Sequence, residues 1–326
     1  MNVFLTRPLF NSSLLEARLS EAGITLIVAD SDDICDRAEL LEKMQNVAAI
    51  LTHTEDDIDA DLIAKMPSTV KLIANYGIGF SNIDAVAAAE KGIQVTNTPT
   101  EEAFHATAEA TVALLVSIAR QIPALSAERR AMKADPAPSF QRPTAVSIRN
   151  KITGIIGLGR IGSRVAQMMH HGFNNTIIYY DLSLNEAMGQ AVNAKKVELA
   201  ELMSNADFIC VNMPLSEQTY DLVSPKMLAL MKPDAVLVNT ARAGLVNEEA
   251  LICRLNAGQL HGAGLDVYTD KVNNITAKNV ALTSHFANFE REAYTAMTNL
   301  VADNIIGFLN NNKPVTPVNS PRGISS

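Results

Sequence analysis

The chain's 326 residues are 48% hydrophobic and 19% charged, enough apolar surface for two cores and too much for a disordered polypeptide. A formal net charge of −8 with no run of Lys or Arg argues against a nucleic-acid partner, and apolar runs no longer than a strand argue against a membrane. Cys35, Cys210 and Cys253 are too few and scattered for a disulfide framework or a zinc site, and MNVFLTRPLF reads as a strand without a basic leader, so a cytoplasmic location is expected.

Five short runs rich in Val, Ile and Leu come first, at 3–6, 25–30, 47–53, 71–77 and 93–98, and each is an expected strand. Helical patterns alternate with them. The pattern at 14–22 has Ser12 or Ser13 to cap it and Gly23 to close it, and Gly92 closes the segment before the fifth strand. A long helix follows over roughly 101–122, apolar at Phe104, Val112, Leu115, Val116 and Ala119 and so buried on several sides. The stretch 133–146, with Pro136, Pro138 and Pro143, reads as an exposed loop. From Lys151 the alternation resumes, with strands at 152–157, 176–181, 208–212, 235–240, 262–267 and 280–284. Cys210 falls in one of these runs and reads as a buried strand thiol. A last helix over 288–309 leads to a Pro-bearing tail. Such alternation implies α/β domains built on parallel sheets with helices on both faces.

The strongest local motif is Gly157-Leu158-Gly159-Arg160-Ile161-Gly162. The apolar run 152–156 leads into it and a helical pattern from Ile161 to Met169 leads out, which is the context a dinucleotide-binding turn requires. Glycines allow a tight turn and close approach of a pyrophosphate, and the following helix offers unpaired N–H groups to it. Asp181 stands 19 residues beyond Gly162, at the end of the next expected strand. A carboxylate there accepts hydrogen bonds from ribose hydroxyls and repels a 2′-phosphate, and Leu182-Ser183-Leu184 supplies no Arg to hold one. The expected cofactor is NAD.

With NAD as the expected cofactor, a hydride acceptor that is a carbonyl acid would need a forked cation for its carboxylate and an acid of near-neutral pKa for its carbonyl oxygen. Arg242 follows the apolar run Val238-Asn239-Thr240-Ala241, and His285 follows Val280-Ala281-Leu282-Thr283-Ser284. Asp266 ends the run between them. All three lie at strand C-termini, where open α/β sheets bind ligands. Among the other histidines, His53 and His105 lie near ligand-facing strand ends, His170 and His171 complement a helix dipole, and His261 reads as structural. Phe80, Phe104, Phe286 and Phe289 read as core or pocket wall more than as specificity determinants.

In this order GIIGLGRIG, NTARAGLVNEEAL, GAGLDVY and LTSH resemble the D-isomer-specific 2-hydroxyacid dehydrogenase family. Gly77-Ile78-Gly79-Phe80-Ser81-Asn82-Ile83-Asp84, with Val95-Thr96-Asn97-Thr98-Pro99, is similar to the family's substrate-domain segment, in the form of its glyoxylate reductase-like branch. The resemblance implies two Rossmann-like or flavodoxin-like domains with parallel sheets and an active site in the cleft between them. Residues 1–99 plus 288–326 would form the substrate (catalytic) domain and 100–287 the NAD-binding domain, through which two subunits pair. Arg242 would bind the substrate carboxylate and polarise the keto group, with His285 as general acid in reduction and base in oxidation. Amides of Ile78 and Gly79 would also hold the carboxylate. Arg160 and Ile161 would lie along the pyrophosphate beside Gly157, Gly159 and Gly162, and Thr107, Pro214, Thr240, Ala241 and Asp266 around the nicotinamide and its ribose. The implied reaction reduces glyoxylate, hydroxypyruvate, pyruvate or a somewhat larger 2-keto acid to the D-hydroxy acid. A non-catalytic NAD(H)-binding redox sensor or partner-binding protein on the same scaffold is the alternative.

One departure bears on that alternative. The family follows this Leu-Asp-Val-Tyr-like stretch with a Glu that hydrogen-bonds the catalytic His and raises its pKa. Ungapped counting puts Lys271 there, whereas a gap lets Asp270 serve. A carboxylate favours imidazolium and an ammonium disfavours it. Ser284 stands where the family has Pro.

Overall fold

The computed structural model describes residues 1–131, 145–183 and 185–321, so Pro136, Pro138, Pro143 and Leu184 lie outside the described residues. The chain divides into two compact units, Met1–Ala103 with Phe289–Ser326, and Phe104–Asn288. The first unit opens with β1 (Asn2–Leu5), α1 (Ser12–Glu21), β2 (Thr25–Val28), α2 (Arg37–Lys43), β3 (Ala49–His53), α3 (Ala60–Lys65), β4 (Leu72–Tyr76), α4 (Ala85–Glu90) and β5 (Gln94–Thr96). Helix α5 (Glu101–Ala119) leads into the second unit, which continues with α6 (Ile122–Ala131), β6 (Ile152–Ile156), α7 (Arg160–Phe173), β7 (Thr176–Tyr180), α8 (Glu186–Gln190), β8 (Lys195–Lys196), α9 (Leu199–Asn205), β9 (Phe208–Val211), α10 (Pro225–Ala229), β10 (Val236–Asn239), α11 (Glu248–Asn256), β11 (Gly262–Leu265) and β12 (Val280–Leu282). The chain then returns to the first unit as α12 (Arg291–Asn311).

In the first unit five parallel strands run in the order β2-β1-β3-β4-β5. Register puts Phe4, Ile50, Ile73 and Val95 side by side, and they pack with Leu40 of α2, Met44 at its C-terminal cap, Leu62 and Ile63 of α3 and Ala88 of α4. The period-2 alternation sends Leu72, Ala74 and Tyr76 to the opposite face, where the Tyr76 hydroxyl reaches Thr298 of α12 at 3.0 Å. After α12 the chain runs back along β5: Thr96 pairs antiparallel with Pro317 and Val318 N–H donates to the Val95 carbonyl. That strip covers a sheet edge that would otherwise expose unpaired backbone.

In the second unit seven parallel strands run β12-β11-β10-β9-β6-β7-β8. Ile155, Tyr179, Cys210 and Val238 share one face and pack with Leu115 and Ile118 of α5 and Val165 and Met169 of α7. Ile156, Val211, Leu237 and Leu265 share the other, against Leu202 of α9, Leu228 of α10 and Leu251 of α11. Burial on both faces explains why these strands read as continuous apolar runs.

Several expectations are corrected. The long helix at 101–122 is two helices, broken where Gln121 adopts φ 56°. Pro123 cannot donate to the carbonyl of Ala119 and clashes with it, so α5 ends and α6 starts anew. Ser12 and Ser13 do not cap α1; Asn11 holds the cap position without a side-chain bond, and the Ser12 hydroxyl turns back to donate to the Leu9 carbonyl. With 19 residues, α5 is long and apolar enough to cross a membrane by length and composition, although half of that stretch is buried inside the protein. Its apolar residues form no unbroken run because His105, Thr107, Glu109, Thr111 and Ser117 interrupt them. The edge strand β8 was also missed, since two exposed lysines have no apolar pattern.

His53, at the end of β3, is held below its ordinary pKa of 6.5 by burial, with its Nε2 3.1 Å from the Arg7 carbonyl. The unfolded chain therefore takes up the proton first. Stability is full above about pH 6.5 and falls below it until the folded-state imidazole also titrates. Melting temperature measured against pH should decline through that window, and His53→Gln should flatten the decline; an unchanged slope would assign it to another group.

Candidate active site

The strand order of the second unit reverses between β6 and β9, since the chain goes outward to β7 and β8 and then crosses back. Crevices for ligands open at such a reversal, beyond the strand C-termini. Gly157 turns there with φ 95°, and a Cβ on it would sit 2.9 Å from the backbone of Met213. A Cβ on Gly162 would run into the Gly157 carbonyl, so only glycine lets α7 pack this tightly against its strand. Gly159 is different. A Cβ there would meet nothing within 4 Å, and no side chain caps α7, whose N-cap residue it is. The first-turn N–H groups and the positive end of the helix dipole thus face open space, a cradle that fits a pyrophosphate. Arg160, in that first turn, lays its guanidinium 5.1 Å from the centre of the Phe104 ring.

Asp181 follows β7. Its Oδ2 accepts from Leu158 N–H at 2.8 Å, and its Oδ1 from Ser183 N–H at 3.1 Å. The carboxylate is therefore fixed beside the glycine turn, where the adenosine ribose of a dinucleotide is to be expected. Beyond β9, Asn212 sends its Nδ2 toward Thr240 Oγ1 at 3.4 Å, while its buried Oδ1 has no partner among the described residues. An orphaned buried acceptor at the reversal point fits a ligand that supplies a donor. Thr240 Oγ1 meets Thr111 Oγ1 at 2.7 Å, and Thr111 donates to the carbonyl of Thr107, one turn back on α5. The Pro214 carbonyl accepts from Thr219 at 2.8 Å.

Three adjacent strands carry the remaining groups. Arg242 comes after β10 with extended backbone (φ −149°) and heads a 3-10 turn at Ala243–Leu245. Asn239, 1% exposed, locks this corner: its Oδ1 accepts from Ala241 N–H at 3.0 Å and its Nδ2 donates to the Arg242 carbonyl at 2.9 Å. The Arg242 Nη1 in turn donates to the Ala241 carbonyl at 2.7 Å. His285 comes after β12 in the left-handed region at φ 59°. Asp266, 1% exposed after β11, holds that loop. Its Oδ1 accepts from Thr283 Oγ1 (2.6 Å) and Phe286 N–H (2.8 Å), its Oδ2 from Ala287 N–H (3.0 Å), and its carbonyl from His285 N–H (2.8 Å). Sequence reasoning placed Asp266 by the nicotinamide and missed this work of support, along with Asn239, Thr283 and Asn212. A short polar side chain ending an apolar strand was the available signal.

The segment after β11 settles where Lys271 goes. Glu248 of α11 accepts from Thr269 through both backbone N–H and hydroxyl, and Lys271 Nζ lies 2.9 Å from Glu249 Oε1. That exposed pair holds the Glu249 carboxyl below its usual range and the Lys271 ammonium above its own. The ammonium is thus paired with a carboxylate of α11. Asp270 is exposed at the head of the 3-10 turn Asp270–Asn274.

Ile78 and Gly79 belong to the first unit, just after β4. The Ile78 carbonyl accepts from Asn97 Nδ2 at 2.7 Å and the Gly79 carbonyl from Asn75 Nδ2 at 2.8 Å. With both carbonyls tied, the two N–H groups have no acceptor among the described residues. Successive unpaired amides of this kind make an anion-binding concavity.

A doubly wound parallel sheet with this glycine turn, acid and strand-end Arg and His defines a dinucleotide-dependent oxidoreductase. The family described as D-isomer specific 2-hydroxyacid dehydrogenase, NAD binding domain, matches residues 112–287. The glyoxylate reductase of Thermococcus litoralis is 36% identical over 290 residues, covering 87% of each chain. Among solved structures, the TT0316 protein of Thermus thermophilus superposes with a TM-score of 0.86 at 30% identity, covering 98% of this chain and 100% of that one. A glyoxylate reductase from Paecilomyes thermophila gives 0.84 at 28% identity, covering 98% of both. The chain belongs to the D-isomer specific 2-hydroxyacid dehydrogenase family. It is an NAD-dependent enzyme that acts on the CH–OH group of 2-hydroxy acids and reduces 2-keto acids.

The position of Asp181 carries an expectation about cofactor choice. Asp181→Ala should raise the ratio of kcat/KM with NADPH to that with NADH by at least about tenfold, because a like-charge repulsion is removed. An unchanged ratio in parallel assays would take Asp181 out of cofactor discrimination.

Proposed function

We propose that the protein reduces a small 2-keto acid, of the class of glyoxylate, hydroxypyruvate and pyruvate, to the D-2-hydroxy acid. The observation that supports this most is the placement of Arg242 and His285 after β10 and β12, the two neighbours of β11, each in a loop held by a buried polar side chain. NADH, when bound, supplies the hydride. The amides of Arg160 and Ile161, with Gly157, Gly159 and Gly162, would hold its pyrophosphate, Asp181 its adenosine ribose, and Thr107, Pro214, Thr240 and Ala241 would line the nicotinamide end.

Arg242 would pair its guanidinium with the substrate carboxylate and lean on the keto oxygen, fixing C2 for attack. Amides of Ile78 and Gly79 would hold the same carboxylate. His285, as imidazolium, would donate its proton to the carbonyl oxygen, leaving a neutral imidazole and the 2-hydroxyl group. Oxidation runs the same proton the other way. Asp266 and Thr283 act as positioning residues for His285, since their bond fixes the loop that carries it. Pairing of two copies through the second unit, supported by the family resemblance, and a cytoplasmic location, supported by three cysteines too few and scattered for a disulfide framework, complete the reading.

Loss of NADH absorbance with glyoxylate, hydroxypyruvate and pyruvate tests the reaction; tight NADH binding without turnover across all 2-keto acids would overturn it. Arg242→Ala should lower kcat/KM by at least about a hundredfold while the Kd for NADH stays put. If NADH affinity falls in step with turnover, Arg242 belongs to the cofactor site instead. Thr283→Val, which loses one hydrogen bond of about 1 kcal/mol, should lower kcat about fivefold and broaden the pH–rate profile, with Thr283→Ser restoring both. A wild-type profile in the Val variant would show that the loop holds without it.

A further inference from the structure

Asn212 is the first residue past β9 and stands against the glycine turn. Its N–H donates to the carbonyl of Ile156, the last residue of β6, at 2.8 Å, and a Cβ on Gly157 would lie 3.0 Å from the Asn212 carbonyl carbon. Backbone bonds thus fix its place, and the count of protons around it fixes its carboxamide. The Thr107 carbonyl of α5 can only accept, so the Thr111 hydroxyl uses its one proton there, at 2.8 Å. Thr240 Oγ1, 2.7 Å from Thr111 Oγ1, must then donate to it, and Asn212 Nδ2, 3.4 Å from Thr240 Oγ1, must donate in its turn. A flipped carboxamide would need a second proton from Thr240, which has none. Thr111 and Thr240 are both buried, so each link is set by the one before it, back to a backbone carbonyl.

The relay leaves Asn212 Oδ1 as an acceptor that is buried and has no partner among the described residues. A buried acceptor left unmet is unfavourable, so such an atom at a ligand crevice marks where a bound molecule supplies the donor. Its position selects that donor. Asp181, past β7, lies on one side of β6, and Asn212, past β9, lies on the other. A dinucleotide carries a ribose on each side of its pyrophosphate. With the pyrophosphate at the turn after β6 and the adenosine ribose on Asp181, the second ribose falls on the β9 side. The nicotinamide carboxamide lies one ring further along the cofactor.

We propose that Asn212 Oδ1 accepts a hydrogen bond from a hydroxyl of the nicotinamide ribose, and that Thr111 and Thr240 hold its carboxamide turned for that bond. The inference rests on the reading in which the glycine turn holds the pyrophosphate and Asp181 the adenosine ribose. Asn212 then joins the cofactor residues expected from the sequence. Thr111 acts through two other side chains and is a positioning residue. Its place is set by the packing of α5 against the sheet, through Leu115 and Ile118.

Calorimetric binding of ADP, ADP-ribose and NADH to the full chain tests it, because ADP-ribose adds only the second ribose to ADP and NADH adds the nicotinamide. Asn212→Ala should weaken ADP-ribose and NADH by about five- to tenfold and leave ADP within about twofold. Unchanged ADP affinity also shows that the variant is folded. Thr111→Val should weaken ADP-ribose about threefold with the same selectivity, and Thr111→Ser should restore it. That pair covers the case in which the Asn212 variant fails to fold. Loss of ADP in step with ADP-ribose would overturn the proposal and make Asn212 a support of the turn. Loss of NADH alone would overturn it as well, moving the bond to the nicotinamide carboxamide, as would ADP-ribose affinity indifferent to both truncations. An ADP affinity indifferent to Asp181→Ala would instead bring down the placement of the adenosine half and this inference with it.

Discussion

Parallel pairing is the constraint on which the molecule depends. Strands β6, β9, β10, β11 and β12 are hydrogen-bonded side by side in one direction, so all their C-terminal loops emerge along one edge. An antiparallel sheet would scatter the same loops over two edges. The glycine turn, Asn212, Thr240, Arg242, Asp266 and His285 are far apart in the chain, yet each is the first few residues past a strand. Register then decides which of them are neighbours, because β11 stands between β10 and β12.

A loop at a strand end is not rigid on its own account. Here the rigidity comes from short polar side chains buried at the rim. Asn239 bonds both sides of the Arg242 corner, Asp266 takes three donors from the His285 loop, and Asn75 and Asn97 tie back the carbonyls of Gly79 and Ile78. Burying such a group is costly unless it is hydrogen-bonded, so each has a narrow choice of geometry once the strand beneath it is packed. The apolar cores therefore reach the site indirectly, by fixing the residues that fix the loops. The same logic serves both units, although their strand orders differ.

The family's usual Glu after β11 is missing, and the structure gives the region another organisation. Lys271, which ungapped counting would set against His285, pairs with Glu249, while Glu248 holds Thr269. The segment is moored to α11. An ammonium paired with a carboxylate exerts less repulsion on its surroundings than a lone one. Ser284 in place of Pro leaves the backbone before His285 less restricted, and the Asp266 bonds supply the restraint.

The chain by itself determined the element types, the two α/β folds and the fingerprint, because apolar periodicity and glycine spacing are local quantities. Strand positions were right to within a residue or two in all but β8, whose two lysines carry no apolar signal. The expected proline-bearing loop lies outside the described residues. What the chain left open was everything set by contacts between distant segments, such as the break at Gln121 and the partner of Lys271. Tertiary structure alone also showed that Asp266 spans from β11 to the loop after β12 and that Phe289 meets Tyr294 edge to face beside Tyr76. Those pairings depend on which strands lie side by side and in what register, and no local pattern of residues encodes that.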